Sequence, residues 1–190
     1  SFAAIIGGSF LAIGLAFSGT LGNLASGVML LIFRPFKVDD VIKVGGEVGK
    51  VTGITLFSTE MDTVDNRRII IPNGSVFGGK IENMTHHPIR RVDVSVGVEY
   101  PADVDQTRQV LIDGAAKVAD VLADPEPAVV LIGLGDSSVD WQVRVWTNTE
   151  NYWAVRDATT RAAKMSLDAA GIGIPFPQID VHMQSSAQSE

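Results

Sequence analysis

The first 33 residues read SFAAIIGGSFLAIGLAFSGTLGNLASGVMLLIF and contain no charged side chain. All 15 Lys and Arg residues and all 22 Asp and Glu residues of the 190-residue chain lie at or after Arg34. An apolar run longer than about 18 residues indicates a membrane span, and this run lacks the basic start of a signal peptide. A straight helix of this length would measure about 50 Å, whereas the hydrocarbon core of a bilayer is about 30 Å thick. The sequence therefore predicts a break or bend within the segment.

The most polar part of the segment is the predicted position of that break. Gly19 lies between Ser18 and Thr20, and glycine beside hydroxyl side chains is a composition found at helix kinks. We therefore expect a spanning helix over residues 2–18 and a second helix, near the membrane interface, over residues 20–33.

Small residues recur along the first predicted helix at helical spacing. Gly8, Ala12 and Ala16 are four positions apart, and Gly7 and Gly14 are seven apart. Stripes of small residues allow neighbouring helices to approach closely in lipid. The pattern therefore favours a helix that packs against other helices inside a membrane.

A second stripe on this helix contains its candidate gate. It has spacings of 4, 3, 4 and 3, which place its members on one helical face, and it comprises Ala4, Gly8, Leu11, Leu15 and Ser18. In a ring of such helices, Leu11 and Leu15 would form two leucine rings at the axis, and a narrow apolar ring stops ions by dewetting. The spacing alone is equally compatible with leucines that face lipid or a protein core.

Composition excludes several classes of protein. The chain has no cysteine, so it holds no disulfide, no thiolate metal site and no cysteine nucleophile. Its formal net charge of -7 disfavours nucleic-acid binding, which depends on Lys and Arg at the phosphates. We expect no nucleic-acid partner, no metal and no cofactor.

The charged remainder of the chain predicts two small domains. Short strands over residues 41–44, 48–57, 59–64 and 68–71, separated by turn residues, indicate a small β-barrel or sandwich over residues 34–89. Strict alternation over residues 92–100, strands over 128–132 and 139–147, and two helices indicate an α+β domain over residues 90–174. Asp103 with Gln106 is typical of a helix N-cap, and Gly171 of a C-cap. The stretch Pro175 to Met183 is predicted to be extended.

The order of several motifs resembles the small-conductance mechanosensitive channel family. The likeness covers nearly the whole chain, and its motifs are Gly14-Leu15-Ala16, Asn23-Leu24-Ala25-Ser26-Gly27, Phe33-Arg34-Pro35-Phe36, Ile71-Pro72-Asn73-Gly74, Arg90-Arg91, Val143-Arg144-Val145-Trp146 and Pro175-Phe176-Pro177-Gln178-Ile179-Asp180-Val181. The resemblance implies a ring-shaped homoheptamer opened by membrane tension, which releases ions and small solutes after hypo-osmotic shock. It implies a kinked pore-lining transmembrane helix and an interfacial helix over 1–33, an Sm-like β domain over 34–89, an α+β vestibule domain over 90–174 and a C-terminal strand of an oligomeric β-barrel with its tail over 175–190.

The resemblance also assigns roles to particular residues. It places the hydrophobic gate at Leu11 and Leu15, the kink at Gly19, and Asn23 beside the Asn73-Gly74 loop. From the helical spacing described above, rather than from the resemblance, we expect pore lining and helix packing by Ala4, Gly8, Ala12, Gly14, Ala16 and Ser18. The chain departs from the family at Phe10, at Ser18 and at Asp39-Asp40, where members often have glycine, glutamine and a glycine before the acidic residue.

The resemblance further implies an environment and partners. These are a bacterial inner membrane with the C-terminal domain in the cytoplasm, where Arg34 and Lys37 fit the positive flank, and lipid and other copies of the chain as partners. The family has at least two membrane helices before the pore helix, so we expect this chain to belong to a longer multi-pass protein.

Two other functions remain open to the sequence. A membrane-anchored Sm-like binding or scaffold module needs only an apolar anchor, without small-residue stripes or a kink. An enzyme is disfavoured because no nucleophile, base and orienting group converge. His86-His87, the Gly45-Gly46 turn and the pair Asp62 and Asp65 are interpreted as exposed turn residues rather than as metal, phosphate or acid-base sites.

Overall fold

The computed structural model of the protein describes residues 2–182, and its contacts divide the chain into two compact units between His87 and Pro88. The first unit begins with one uninterrupted helix, α1, over Phe2–Phe33. The predicted division into two helices at Gly19 is therefore wrong. A glycine inside a helix costs only about 1 kcal/mol relative to alanine, and the Ser18 hydroxyl donates back to the carbonyl of Leu15 at 3.0 Å, within the helix.

Helix α1 ends where two features stop it. Arg34 adopts a left-handed backbone conformation with φ of 48°, and Pro35 supplies no amide hydrogen to continue the helical bonding. The Arg34 amide still donates to the carbonyl of Leu30 at 3.0 Å, so the last turn is closed.

A five-stranded antiparallel sheet follows in the same unit. Its strands are β1 (Val41–Val44), β2 (Glu47–Ile54), β3 (Ser58–Asp62), β4 (Arg68–Pro72) and β5 (Glu82–Asn83), in the order β4-β3-β2-β1-β5. A short helix, α2 (Asn73–Phe77), comes between β4 and β5 and occupies what was predicted to be a loop. The four predicted strands are confirmed to within three residues at each end.

The core of this unit joins the helix to the sheet. Leu30 near the end of α1 and Phe36 just beyond it are almost completely buried. They pack in one cluster with Ile42, Val44, Val51, Met61 and Val76. The last part of α1 is thus held by the same apolar core that stabilises the sheet.

The second unit is a three-stranded antiparallel sheet covered on one face by helices. Its elements are β6 (Ile89–Val98), α3 (Val104–Ala115), β7 (Ala128–Leu134), β8 (Val139–Asn148), a 3-10 turn (Thr149–Asn151) and α4 (Tyr152–Ala169), and the strand order is β6-β8-β7. Alternate residues of β8 are buried against α3 and α4, so this strand is the centre of the core. The predicted order of strands and helices is confirmed.

Both predicted helix caps of this unit are present. The Asp103 carboxylate accepts from the amide of Gln106 at 2.8 Å, and Gly171 has φ of +69° just after α4. Residues 172–182 contain neither helix nor strand, and the rest of the predicted terminal segment, from Met183 onward, lies outside the described residues. A strand of an oligomeric barrel pairs with other copies of the chain, so that assignment stays a prediction.

Candidate functional site

Helix α1 has two parts that differ in their surroundings. From Ile5 to Gly22 every residue is exposed, and Leu11 and Leu15 expose 66% and 67% of their surfaces. From Asn23 onward one face of the helix is covered by the sheet and α2. Among the described residues, one helical stretch, Ile5–Phe33, is long and apolar enough to cross a membrane.

Both serine hydroxyls between Ile5 and Gly22 form hydrogen bonds inside the helix. The Ser9 hydroxyl donates to the carbonyl of Ile5 at 2.9 Å, as Ser18 does to Leu15. Such internal bonding allows hydroxyl side chains to lie in a medium without water. The helix therefore presents an apolar surface on all sides, with small residues between the large ones.

The candidate gate stripe lies on this exposed part. Its described side chains, Leu11, Leu15 and Ser18, contact no other element of the chain, and the side chain of Ala4 lies outside the described ones. The small residues Gly8, Ala12, Gly14 and Ala16 are equally exposed. An added Cβ at Gly8, Gly14 or Gly19 would meet no atom of this chain within 4 Å.

The second part of α1 meets α2 through a narrow face. Asn23, Gly27 and Leu30 are spaced by four and three residues, so they lie on one side of the helix. The Asn23 side-chain oxygen accepts from the amide of Gly74 at 2.9 Å. This bond joins the middle of α1 to the first turn of α2, and the structure thus brings the predicted trio Asn23, Asn73 and Gly74 together.

Asn73 organises the other side of this junction. It is completely buried, and its amide group donates to the carbonyl of Thr55 at 2.9 Å. Its side-chain oxygen accepts from the hydroxyl of Thr59, also buried, at 2.9 Å. Buried polar groups bonded in this way fix one geometry, because any displacement leaves a donor or acceptor unpaired.

Two glycines allow the helix and the sheet to approach at this point. A Cβ at Gly27 would lie 2.5 Å from both the Asn73 amide nitrogen and the carbonyl oxygen of Leu56, and a Cβ at Gly74 would lie 2.9 Å from the Asn23 oxygen. At Gly27 the main-chain oxygen of Leu56 leaves no room for a side chain, and at Gly74 a side chain would have to displace the Asn23 oxygen. We name the group Asn23, Gly27, Asn73 and Gly74 the helix–sheet junction.

The other motifs considered in the sequence analysis, the Asp62 and Asp65 pair and the Gly45-Gly46 turn, lie on the surface. Asp62 and Asp65 pair with Arg68 and Arg67, and the bond from Arg67 lowers the pKa of Asp65 to about 2. Gly45 and Gly46, with φ of 60° and 87°, form the turn between β1 and β2. Within residues 2–182 no group of three or more His, Asp or Glu side chains is arranged to hold a metal.

Two consecutive parts of the chain match known protein families. Residues 19–86, which contain the junction and the sheet, match the family described as "Mechanosensitive ion channel, beta-domain", and residues 92–174 match "Mechanosensitive ion channel MscS, C-terminal". The two matches are consecutive and together cover well over half of the chain. The chain belongs to the MscS family of mechanosensitive channels. The family resemblance expected from the sequence is thereby confirmed.

Individual MscS relatives agree with this assignment. A small-conductance mechanosensitive channel of Edwardsiella ictaluri is 42% identical over 179 residues, covering 94% of this chain and 63% of that protein. The crystal structure of Helicobacter pylori MscS in its closed state superposes with a TM-score of 0.93 at 29% identity, covering 98% of this chain and 74% of that one. Arabidopsis thaliana MSL1 shares the fold, with a TM-score of 0.74 at 18% identity over 93% of this chain and 66% of that one.

The chain spans less than two thirds of the length of the two relatives that are 42% identical to it. It spans 63% of the length of the Edwardsiella channel and 62% of a Synechocystis relative that is likewise 42% identical. The chain thus has the MscS-like fold, with an N-terminal apolar helix and a β domain. The Sm-like character of the sheet stays a prediction.

Sequence reasoning missed two contributors to the junction. Gly27 belongs to a family motif but has no predicted role of its own. Thr59 belongs to a predicted strand and likewise has no predicted role. The spacing of Asn23, Gly27 and Leu30 was a signal for Gly27, because it marks a polar, small and large residue on one helical face. Thr59 had no such signal, since its partner Asn73 lies 14 residues away across a strand pair.

Proposed function

We propose that the full-length protein is a homoheptameric channel of the inner membrane that opens under membrane tension and releases ions and small solutes on hypo-osmotic shock. In this proposal α1 lines the pore, the gate is formed by Leu11 and Leu15, and the two folded units lie in the cytoplasm. Membrane lipid and other copies of the chain are its partners.

The observation that carries the proposal is the sharp change along α1 at Asn23. Before it, the helix is apolar, exposed on every side and lined with small residues. After it, the helix is anchored to a β domain of a channel family. An exposed apolar helix needs a cover of lipid and other helices, and the small residues suit close helix packing in lipid.

The gate assignment follows from the stripe. With the small faces in contact between neighbouring helices, Leu11 and Leu15 are the bulky side chains on the stripe that would face the axis. Rings of leucine in a narrow pore exclude water, and a dry constriction blocks ions without a charge or a plug. Tension that widens the ring would admit water and allow ions to pass.

Substitution in full-length channels tests the gate directly. Leu15→Ser should wet the ring and give a leak current without applied tension. Ile13→Ser is the matched control, because Ile13 is 56% exposed and lies on the opposite side of the helix. Currents are recorded in excised patches under graded suction.

The outcomes separate the possibilities. Leak in Leu15→Ser but not in Ile13→Ser supports the gate. Equal behaviour of the two variants refutes it, and a wild-type protein without tension-activated current would favour the anchored scaffold instead. A native mass other than seven copies would refute the heptamer independently of the gate.

A further inference from the structure

The linker between α1 and the sheet is tied down by one carboxylate. Asp40 lies immediately before β1, half-buried, and its Oδ2 accepts from the backbone amide of Lys37 at 2.9 Å and from the side-chain amide of Asn83 at 2.8 Å. The Thr85 hydroxyl lies 3.4 Å from Asp40 Oδ1 and 3.3 Å from Asn83 Oδ1, so its one hydrogen is shared between these two acceptors. We name Asp40, Asn83 and Thr85 the linker clamp.

The clamp reaches both the helix exit and the first strand. The Asn83 side-chain amide also donates to the carbonyl of Pro35 at 3.3 Å, and the Thr85 hydroxyl accepts from the amide of Val41 at 2.9 Å. Three side chains thus connect the end of α1, the linker and the start of β1 to the segment around β5.

These contacts matter because β5 is a short edge strand, whose neighbour Met84 adds one backbone bond, from its amide to the carbonyl of Val41 at 2.9 Å. It is two residues long, at the sheet edge, and pairs with β1 through Ile42–Asn83 and Lys43–Glu82. A strand this short contributes few ladder bonds. Side-chain bonds to Asp40 therefore supply much of what holds β5 to the linker.

Asp40 is held in its charged form. Partial burial by itself would raise the pKa of Asp40, but the hydrogen bonds from the Lys37 amide, Asn83 and Thr85 outweigh it and keep the pKa below its ordinary value of 3.8. A charged acceptor makes stronger hydrogen bonds than a neutral one. The clamp is therefore fully formed at neutral pH.

We propose that Asp40 is a positioning residue for gating, which makes the C-terminal end of α1 and the linker move with the sheet as one body. This inference rests on the proposed channel function. Force that reaches the C-terminal end of α1 then has to displace the sheet as well. Releasing the clamp removes one attachment of the helix end and leaves the apolar core around Leu30 and Phe36 as the remaining one, so opening requires less tension.

The neighbouring residue provides a matched control. Asp39 carries the same charge, but its side chain is 78% exposed and pairs with Lys50 at 2.7 Å on the surface, a contact that contributes little. Asp39 has φ of 77°, a conformation that asparagine also tolerates. Asp39→Asn and Asp40→Asn thus remove the same charge from adjacent positions, and only the second removes a clamp acceptor.

A second pair of variants tests the clamp without a change of charge. Thr85→Val removes the hydroxyl with little change of shape, whereas Thr85→Ser retains it. If Thr85→Val lowers the tension needed for opening and Thr85→Ser does not, the hydroxyl is the cause. This pair decides the question if Asp40→Asn fails to assemble, as judged by size-exclusion chromatography.

The experiment is a tension titration of the full-length channel in excised patches. At the wild-type midpoint tension we expect the open-to-closed ratio of Asp40→Asn to be about tenfold larger, which corresponds to about 1.4 kcal/mol. Thr85→Val should shift in the same direction, and Asp39→Asn and Thr85→Ser should match the wild type.

The possible results are distinct. A wild-type channel that gates, with Asp40→Asn and Thr85→Val unchanged or shifted to higher tension, overturns the clamp and leaves the channel function intact. A shift of equal size in Asp39→Asn also overturns it, because the effect would then be one of charge. A wild-type protein that shows no tension-gated current overturns the proposed function itself.

Discussion

The helix–sheet junction makes a sharp prediction at Gly27. Substitution to alanine would place a methyl group 2.5 Å from the backbone oxygen of Leu56 and from the Asn73 side-chain nitrogen. The Leu56 oxygen belongs to the main chain, so it has no rotamer to change. Asn73 is held by Thr55 and Thr59, so it moves only by giving up those bonds. The helix must therefore shift away from α2.

The expected size of the effect follows from three contributions. Overpacking a close contact costs about 1–3 kcal/mol, and loss of the bond from Gly74 to Asn23 costs about 1 kcal/mol. Alanine returns about 1 kcal/mol through its higher helix propensity. We therefore expect Gly27→Ala to destabilise the junction by about 2 kcal/mol.

Gly22→Ala is the control, because an added Cβ there meets no atom of the chain within 4 Å. It should leave the junction unchanged or stabilise α1 slightly. The two variants carry the same substitution five residues apart on the same helix, so a difference between them reports the local contact rather than the composition.

Hydrogen exchange of the full-length protein in detergent measures the junction directly. A loss of about 2 kcal/mol should speed exchange of the α2 amides, Gly74 included, roughly 30-fold in Gly27→Ala. Sheet amides of β2 and β3 away from the junction serve as an internal reference. Equal exchange at α2 in Gly27→Ala and Gly22→Ala would refute the close-contact reasoning.

Two further predictions concern the hinge and the second unit. Gly19→Ala should fold normally, because nothing of this chain lies within 4 Å of the added carbon. If the helix bends at Gly19 on gating, the variant should alter the tension midpoint or the desensitisation in patch recordings. A tension response identical to that of the wild type removes this role. Asp103→Ala should destabilise the second unit by about 1 kcal/mol through loss of the cap on α3. Denaturant unfolding followed by tryptophan fluorescence measures this loss. Asp105→Ala, which leaves the cap bond in place, should have the smaller effect.

Much of the fold could be predicted because local signals agree with tertiary structure. The predicted alternation follows the pleat of β6 from Val92 to Val98, where the strand ends, two residues before Tyr100. Asp103 marks the start of α3 by chemistry that acts within one turn. The strand pattern after Arg34 is similarly local. Each of these features depends on neighbours that the sequence itself displays.

The parts that escaped prediction depend on distant partners. Asp40 contacts Asn83 and Thr85 across more than 40 residues, and no spacing rule connects those positions. The continuity of α1 escaped for a different reason. Polar residues near Gly19 resemble a break, but the Ser18 hydroxyl bonds inside the helix. Composition alone therefore does not distinguish one continuous helix from two.

Burial of the C-terminal part of α1 against the sheet and α2 explains why the helix can be longer than the bilayer is thick without a break. Residues 2–22 form about 32 Å of helix, close to the thickness of the hydrocarbon core, and from Asn23 onward one face of the helix packs on the sheet and α2. The excess length is thus accommodated by protein contacts, without an interruption of the helix. Gly19 lies one turn before the first anchored residue, Asn23, so a rotation at that position would reorient Leu11 and Leu15 without disturbing the junction. If Leu11 and Leu15 form the gate as proposed, the position of the anchor, rather than glycine alone, predicts that the gate and the β domain move separately at this turn of α1.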